Sequence, residues 1–301
     1  MKVLITGAAG FLGRHFTKHH LEHGDEVAAF DDMSSPWAEF ETWINERDAR
    51  DVFETGGSYD IAYHFAAMVG GRATIEQDPL YNADSLDLDS RLFRWAADGW
   101  AGVVVYPSSS AVYGVVHQGV DGESLSEDMF HPSQIRWDVP DEVYGFTKMA
   151  GEFLAWKAQR YGVNTLCIRP FSGYGEDQSP EYPFPSIIRR VQREEDPITV
   201  WGHGEQTRDF IHVDDIVGAT IARLQAGVKG YQNMNIGTGV ATNFLDLASQ
   251  VCFLASYDVA IEPQPEKPVG VLNRVADPSL MLEYYTPTVS LEEGIRRALG
   301  V

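Results

Sequence analysis

The chain has 301 residues, of which 44% are hydrophobic, enough to bury one large core or two modest ones. It carries 44 acidic side chains against 23 of lysine and arginine, and the formal net charge of −21 argues against nucleic acid and anionic membranes as partners. No stretch of 18 apolar residues is present, so no membrane span is expected.

Short apolar runs alternate with longer segments of helical periodicity. The runs that predict buried strands are Lys2–Thr6, Glu26–Phe30, Ile61–Phe65, Val103–Tyr106, Asn164–Ile168 and Met234–Ile236. The segments with apolar residues at helical spacing are Phe11–Glu22, Leu80–Ala97 and Tyr144–Tyr161. This alternation is typical of an α/β fold with a doubly wound parallel sheet.

The character of the sequence changes after residue 171, where prolines become frequent and the predicted elements become short. The stretches SPEYPFP and EPQPEKP are examples. We therefore predict a first domain over residues 1–170 and a smaller domain over residues 171–301, partly interleaved with the first.

The first predicted strand runs directly into a glycine-rich turn, in the stretch VLITGAAGFLGRHF. Gly7 permits a tight turn, Gly10 lets the backbone approach a pyrophosphate, and Gly13 lets the helix pack closely on the strand. The helix that begins at Phe11 and Leu12 then points its N-terminus at the phosphates. Strand, glycine turn and helix together predict a dinucleotide-binding site.

Two carboxylates close the second predicted strand, in the stretch AAFDDMSS. Asp31 lies about twenty residues after the glycines, where a carboxylate accepts hydrogen bonds from ribose hydroxyls. Asp32 follows it, and no Arg or Lys stands beside the pair in the sequence to receive a 2′-phosphate. The charge pattern favours NAD over NADP, although an Asp pair that only caps the next helix is an open alternative.

A tyrosine and a lysine lie four residues apart in the stretch EVYGFTKMAGE. On a helix, Tyr144 and Lys148 share one face. A tyrosine alone is a poor base at neutral pH, whereas an ammonium one turn away stabilises its phenolate form. The pair therefore predicts acid–base chemistry by Tyr144.

In this order the motifs resemble the extended short-chain dehydrogenase/reductase family, in its NAD-dependent nucleotide-sugar epimerase and dehydratase branch. The resemblance covers nearly the whole chain and also rests on the stretches ERDARD, YHFAA, RPFSGYG, QTRDFIHVDDIVGA, NIGTG and PTVSLEEGI. It implies a Rossmann-like sheet, a smaller α/β substrate-binding C-terminal domain, and NAD as cofactor. The further cofactor contacts that it implies are Asp48, Ala49, Phe65, Ala66, Ala67 and Phe171, with Tyr144 and Lys148 beside the nicotinamide.

The resemblance also implies a nucleotide-diphosphate sugar as substrate and assigns a role to one serine of YPSSSAVYG. Ser109 would hydrogen-bond the sugar oxygen that Tyr144 deprotonates, while Ser108 fits a capping role at the strand end. The substrate contacts that the resemblance implies are Met68, Gly70, Ser109, Ser110, Tyr144, Ser172, Val200, Arg208 and Arg274.

Positions 110 and 111 separate the reactions known in similar enzymes. Similar 4,6-dehydratases have an Asp-Glu pair there, decarboxylases a Glu at the second position, and 3,5-epimerases a Cys. This chain has Ser110 and Ala111, so oxidation and reduction at one sugar carbon remain, as 4-epimerisation requires.

Several alternatives stay open on the substrate side. Ser172 stands where the family commonly has Asn, and the glycine pair at 70–71, with Arg72 as an extra contact, resembles 3,5-epimerases and 4-keto-sugar enzymes. A uronate decarboxylase is a further enzymatic alternative. A catalytically silent NAD-binding regulatory protein is the non-enzymatic one, which the intact set of Ser109, Tyr144 and Lys148 disfavours.

Other features indicate the setting of the protein. Cys167 and Cys252 are too few for a disulfide framework, and no secretory cleavage site follows the first apolar run, so we expect a cytoplasmic protein. The helices around residues 84–97 and 144–161 correspond to a dimer interface in the family, which implies a homodimer. We expect His15, His19, His20 and His23 to form a solvated helix face rather than a metal site, and the acidic set Asp84, Asp87 and Asp89 to lie on an exposed helix.

Overall fold

A computed structural model describes residues 1–35, 38–39, 41–70, 74, 77–78, 80–99 and 102–301. In chain order its strands are β1 (Lys2–Thr6), β2 (Glu26–Asp31), β3 (Ile44–Glu46), β4 (Ile61–His64), β5 (Val103–Pro107), β6 (Asn164–Pro170), β7 (Ser172–Tyr174), β8 (Ile198–Trp201), β9 (Thr207–Arg208), β10 (Phe210–His212), β11 (Tyr231–Ile236), β12 (Thr242–Asn243), β13 (Ile261–Gln264) and β14 (Asn273–Arg274). Its α-helices are α1 (Phe11–Glu22), α2 (Ala49–Glu54), α3 (Ser85–Ala97), α4 (Glu142–Ala158), α5 (Pro183–Gln192), α6 (Val213–Gln225), α7 (Phe244–Leu254), α8 (Ser279–Leu282) and α9 (Leu291–Leu299).

The main sheet joins seven of the described strands in the order β11-β6-β5-β4-β1-β2-β3, all parallel to their neighbours. The strand order reverses on either side of β1, which makes the sheet doubly wound. The predicted α/β fold with a Rossmann-like sheet is confirmed. In such sheets ligands bind beyond the carboxyl ends of the strands near this reversal.

The first strand shows why the sheet is buried on both faces. Val3 and Ile5 point into one apolar core with Phe16 of α1, while Leu4 points into a second core with Leu92 of α3. Successive side chains of a strand face opposite sides, so a continuous apolar run fills both cores.

The predicted elements agree closely with the observed ones. Helix α1 has the predicted bounds, and the apolar strands agree to within a few residues at their ends. The edge strand β3 was not predicted, because its sequence, Ile-Asn-Glu, is short and has one buried apolar residue.

Two expectations about polar residues were wrong. His20 is fully buried, and its ring nitrogens bond Asp25 over 2.7 Å and the Tyr63 hydroxyl over 2.9 Å. Asp89 is also buried, where it accepts a 2.7 Å hydrogen bond from Tyr106. Helical spacing alone does not reveal a buried polar residue whose partner lies on a distant strand.

The chain after residue 171 forms small sheets, helices and a core of its own, which includes Phe184, Ile188, Val200, Phe210 and Leu247. It also returns β11 to the main sheet, beside β6. Both cysteines are buried free thiols. None of the described helices has the length and apolarity that crossing a bilayer requires.

Candidate active site

A cleft of about 840 Å³ is lined by residues of both halves of the chain. It brings together every predicted site residue that the structure describes. These are Gly7, Gly10, Phe11, Leu12, Gly13, Asp31, Asp32, Asp48, Ala49, Phe65, Ala66, Ala67, Met68, Gly70, Ser109, Ser110, Tyr144, Lys148, Phe171, Ser172, Val200, Arg208 and Arg274. The further contact predicted at Arg72 lies outside the described residues.

The glycine turn has the geometry that a dinucleotide site needs. Gly7 has a positive φ of +72°, and a Cβ there would lie 2.4 Å from the Ala66 nitrogen. A Cβ on Gly13 would lie 2.0 Å from the Gly7 carbonyl oxygen, so the close packing of α1 on the turn excludes a side chain. Helix α1 begins without a side-chain cap, which leaves its first N–H groups available to a phosphate.

Asp31 is hydrogen-bonded to the backbone of this glycine turn. Its carboxylate accepts hydrogen bonds from the backbone of Ala9 and of Met33, each over 2.9 Å. Burial raises the pKa of Asp31, although these two hydrogen bonds act in the opposite direction. Asp32 is exposed and accepts hydrogen bonds from Ser34. The pair therefore presents negative charge at the end of β2, and the next helix that the structure describes, α2, is capped by Asp48 instead.

The cleft near Asp48 contains an arginine that sequence reasoning missed. Arg50 lines the cleft beside Asp48, with which it pairs over 2.8 Å, and it also bonds Asp87 over 3.0 Å. Asp48 caps α2, since its side chain accepts from the Arg50 nitrogen over 2.7 Å. The two carboxylates neutralise the Arg50 guanidinium.

The three serines after β5 have different environments. Ser108 and Ser110 are buried, at 4% and 3% exposure, whereas Ser109 is partly open to the cleft. The Ser109 Oγ accepts a 3.1 Å hydrogen bond from the Ala111 nitrogen, so its own O–H can point to a ligand. Ser109 is thus the serine whose hydroxyl suits contact with a ligand.

Helix α4 presents Tyr144 and Lys148 to the same cleft. The Lys148 Nζ lies 5.8 Å from the centroid of the Tyr144 ring and 5.3 Å from that of Tyr106. Lys148 is buried at 4% exposure, where its charge acts with little screening by water. The Lys148 ammonium therefore lies near the Tyr144 ring.

Position 111 carries only a methyl group, and its backbone contacts that of Asp141. The backbone nitrogen of Asp141 donates to the Ala111 oxygen over 3.1 Å, and Asp141 lines the cleft. Sequence reasoning missed Asp141, which stands directly before α4 with no motif to mark it. Its carboxylate accepts a 2.7 Å hydrogen bond from Arg274.

Arg208 and Arg274 lie side by side as register partners on the parallel strands β9 and β14. Arg208 donates through Nη1 to the carbonyls of Thr207 and Val271, over 2.7 and 3.0 Å. Arg274 donates through Nε to Gln118 over 2.6 Å. Two arginines on neighbouring strands, both lining the cleft, suit a diphosphate.

The remaining predicted substrate residues lie on three separate segments. Met68 is held through its backbone, which accepts from Asn82 over 2.6 Å and donates to Ser85 over 2.9 Å. Ser172 begins β7, and Val200 is buried on β8.

Sequence reasoning did not find the clasp between Arg14 and Asp177, two residues that line the cleft. Arg14 donates to the Ala9 carbonyl over 2.6 Å and to the Asp177 carboxylate over 2.9 Å. Burial alone would raise the pKa of Asp177, but hydrogen bonds from His15 and Arg14 lower it to about 2. Tyr182, also missed, lines the cleft, and burial raises its pKa, as does the nearby Tyr144.

The sequence model of the NAD dependent epimerase/dehydratase family matches residues 3–237. A dTDP-4-dehydro-6-deoxy-D-allose reductase from Streptomyces sp is 32% identical over 93% of this chain and 89% of its own length. The structure of UDP-glucose 4-epimerase from Thermotoga maritima with UDP-glucose has a TM-score of 0.86, 25% identity, and coverage of 100% of this chain and 98% of its own. That of MoeE5 in complex with UDP-glucuronic acid and NAD has a TM-score of 0.84, 29% identity and the same coverage.

Proposed function

The chain belongs to the NAD-dependent epimerase/dehydratase family and is an enzyme, and on this premise we propose that it is a 4-epimerase of a nucleotide-diphosphate sugar. Residues 1–170 bind NAD, and residues 171–301 form the nucleotide-sugar-binding domain, to which Ser172, Val200, Arg208 and Arg274 belong. The substrate is oxidised at C4 and reduced again at the same carbon.

One observation carries the proposal. Ser109, Tyr144 and Lys148 share a cleft with the Arg208–Arg274 pair, while positions 110 and 111 offer a hydroxyl and a methyl group. The first three side chains are sufficient for proton transfer at one sugar carbon. Dehydration or decarboxylation would use a further acid or base at these two positions. The simplest reaction is therefore oxidation at C4 followed by reduction at the same carbon.

The protein's own groups have separate roles in this reaction. NAD, when bound, supplies the acceptor and donor of hydride. Tyr144 takes the proton of the C4 hydroxyl and later returns it, and Lys148 stabilises the phenolate in between. Ser109 donates its hydroxyl hydrogen to the C4 oxygen and keeps it in line with Tyr144. Arg208 and Arg274 hold the diphosphate.

A second candidate is reduction of a 4-keto nucleotide sugar, because the relative at 32% identity carries the name of such a reductase. The same three residues serve it, with Tyr144 as proton donor. The two candidates differ in their use of cofactor: the epimerase leaves NAD unchanged over a turnover, whereas the reductase consumes one NADH for each product.

A panel of uridine and thymidine diphosphate sugars, uronates and 4-keto sugars, incubated with the full-length protein in heavy water, tests the proposal. We expect an isomer of unchanged mass from a hexose substrate, with no deuterium at C3 or C5. Stoichiometric loss of NADH with a 4-keto sugar identifies the reductase instead. Loss of water, loss of carbon dioxide or deuterium beside C4 contradicts the proposal.

We further propose that the protein is a cytoplasmic homodimer that pairs through α3 and α4. These helices pack against each other, and α4 leaves Phe146 53% exposed on its outer side. Two buried free thiols suit a reducing compartment. Sedimentation should give about twice the chain mass of 33.5 kDa, and Phe146→Glu should shift it toward the monomer.

A further inference from the structure

A fully buried ion pair lies beneath the catalytic residues. Arg169 on β6 and Glu152 on α4 are each 0% exposed, and they are joined by two hydrogen bonds of 2.7 and 2.8 Å. Neither residue lines the cleft, so the mechanism proposed above does not use either directly.

Each nitrogen of the Arg169 guanidinium donates a hydrogen bond. Its Nη1 donates to the Tyr113 hydroxyl over 2.9 Å, and its Nη2 to the Phe130 carbonyl over 2.8 Å. Tyr113 in turn donates to Asn235 over 2.5 Å. Burial alone would lower the pKa of Arg169, but the Glu152 carboxylate more than offsets this effect and raises it.

The pair lies where three segments that carry proposed site residues meet. Glu152 is one helical turn after Lys148 on α4. Arg169 is two residues before Phe171. Ser108, the neighbour of Ser109, donates from its Oγ to Glu152 Oε1 over 2.5 Å. A single carboxylate therefore connects the strand of the catalytic serine to the helix of the catalytic tyrosine.

Burying two charges is costly, and apolar side chains of similar size usually stabilise a core at least as well. A fully hydrogen-bonded polar network, unlike apolar contacts, fixes the distance and direction between the segments that it joins. Catalysis by Ser109 and Tyr144 depends on such a distance, because both hydroxyls contact one sugar oxygen.

We propose that Glu152 is a positioning residue, which acts through Ser108 to hold the Ser109 hydroxyl in register with Tyr144. The inference rests on the proposed function. It names a residue outside the cleft on which the rate of the proposed reaction depends. It also gives Ser108 a role other than capping a strand end.

The same carboxylate offers a matched control. Its Oε2 accepts a hydrogen bond from the Tyr231 hydroxyl, on the edge strand β11. Ser108 and Tyr231 each supply one hydroxyl to Glu152, but only Ser108 adjoins a proposed catalytic residue. If Glu152 serves stability alone, removal of either hydroxyl should have the same kinetic effect.

The experiment compares Ser108→Ala with Tyr231→Phe in the full-length, NAD-loaded protein. For Ser108→Ala we expect kcat to fall about tenfold, with KM for the nucleotide sugar within about twofold of the parent, since the loss is one of orientation. For Tyr231→Phe we expect both constants within about twofold of the parent. Thermal melting of both variants measures the loss of stability separately.

Equal changes of kcat in the two variants, or a change of KM instead of kcat in Ser108→Ala, would overturn the positioning role. Ser109→Ala distinguishes this from failure of the proposed function. If Ser109→Ala is fully active, or the parent protein converts no nucleotide sugar, the proposed function fails, and the positioning role fails with it.

Discussion

The guanidinium of Arg274 donates to the carboxylate of Asp141 over 2.7 Å, immediately before the helix that carries Tyr144. The two side chains are largely buried, at 12% and 20% exposure. The arginine proposed to hold the diphosphate is thus already paired with an anion, and a bound diphosphate would share that arginine with Asp141.

Asp141→Asn should tighten the binding of free nucleoside diphosphates. The substitution removes a negative charge beside the anion site while the amide keeps an oxygen for Arg274. One unit charge at about 4 Å contributes about 1 kcal/mol in water, which corresponds to about a fivefold lower Kd. Calorimetric titration of the parent and the variant with UDP and dTDP measures the Kd values. Glu292→Gln, which removes a carboxylate from the exposed helix α9, is the control and should leave Kd unchanged. Weaker binding by Asp141→Asn would mean that its charge mainly orients Arg274.

The protein should bind NAD more tightly than NADP by at least about fivefold, because a 2′-phosphate would meet the charges at the end of β2. Asp32→Asn should reduce the difference in affinity between NAD and NADP without loss of stability, since Asp32 is exposed. Asp31→Asn should also weaken NAD binding, because the Asp31 carboxylate is hydrogen-bonded within the glycine turn. Fluorescence titration with both reduced cofactors measures the ratios, and equal affinity in the parent protein would contradict the assignment.

Tyr144→Phe should lower turnover about a hundredfold or more while NAD still binds, since the phenol is the proposed proton carrier. Lys148→Met should reduce both turnover and NAD affinity, because the buried ammonium lies near Tyr144 and is expected beside the nicotinamide ribose. Tyr161→Phe is the control, because Tyr161 lies at the end of the same helical segment and is 74% exposed. A Tyr144→Phe enzyme with a normal rate would remove Tyr144 from the mechanism.

The Asp177 clasp predicts how stability depends on pH. The pKa of Asp177 is about 2 in the folded protein and 3.8 as the ordinary value, so the folded state favours the ionised form. The stabilisation is therefore full above about pH 4 and is lost as the pH falls toward 2.

Asp177→Asn should lower the free energy of unfolding at pH 7 by about 1 kcal/mol, after allowance for solvent screening of the partly exposed carboxylate. The difference from the parent should shrink as the pH falls below 4. Urea unfolding at several pH values measures it, with the exposed Asp258→Asn as the control. A difference that stays constant down to pH 2 would show that the Asp177 charge contributes nothing.

The sequence predicted what depends on local pattern. Apolar runs marked the strands of the main sheet other than β3, and the spacing of Gly7, Gly10 and Gly13 marked the turn, because backbone sterics there allow little else. Tyr144 and Lys148 were predicted as a pair because four residues make one helical turn.

Contacts between distant residues were not predictable in this way. Asp141 and Arg274 are 133 residues apart, and Arg14 and Asp177 are 163 apart. Glu152 has the spacing of an ordinary helical carboxylate, and only the fold brings Arg169 to it. Charged residues of this kind carry no local signal that distinguishes a buried partner from a solvated surface.

The place of β11 at the edge of the main sheet has a consequence for synthesis on the ribosome. Strand β6 ends at Pro170, but the strand that covers its outer edge ends at Ile236, about 66 residues later. At translation rates of about 5–20 residues per second, the edge of β6 stays uncovered for roughly 3–13 s. During that interval the nascent chain presents open N–H and C=O groups to its neighbours. Slow codons between these strands would prolong the exposure, and a chain released at residue 170 would keep an uncovered edge that favours aggregation.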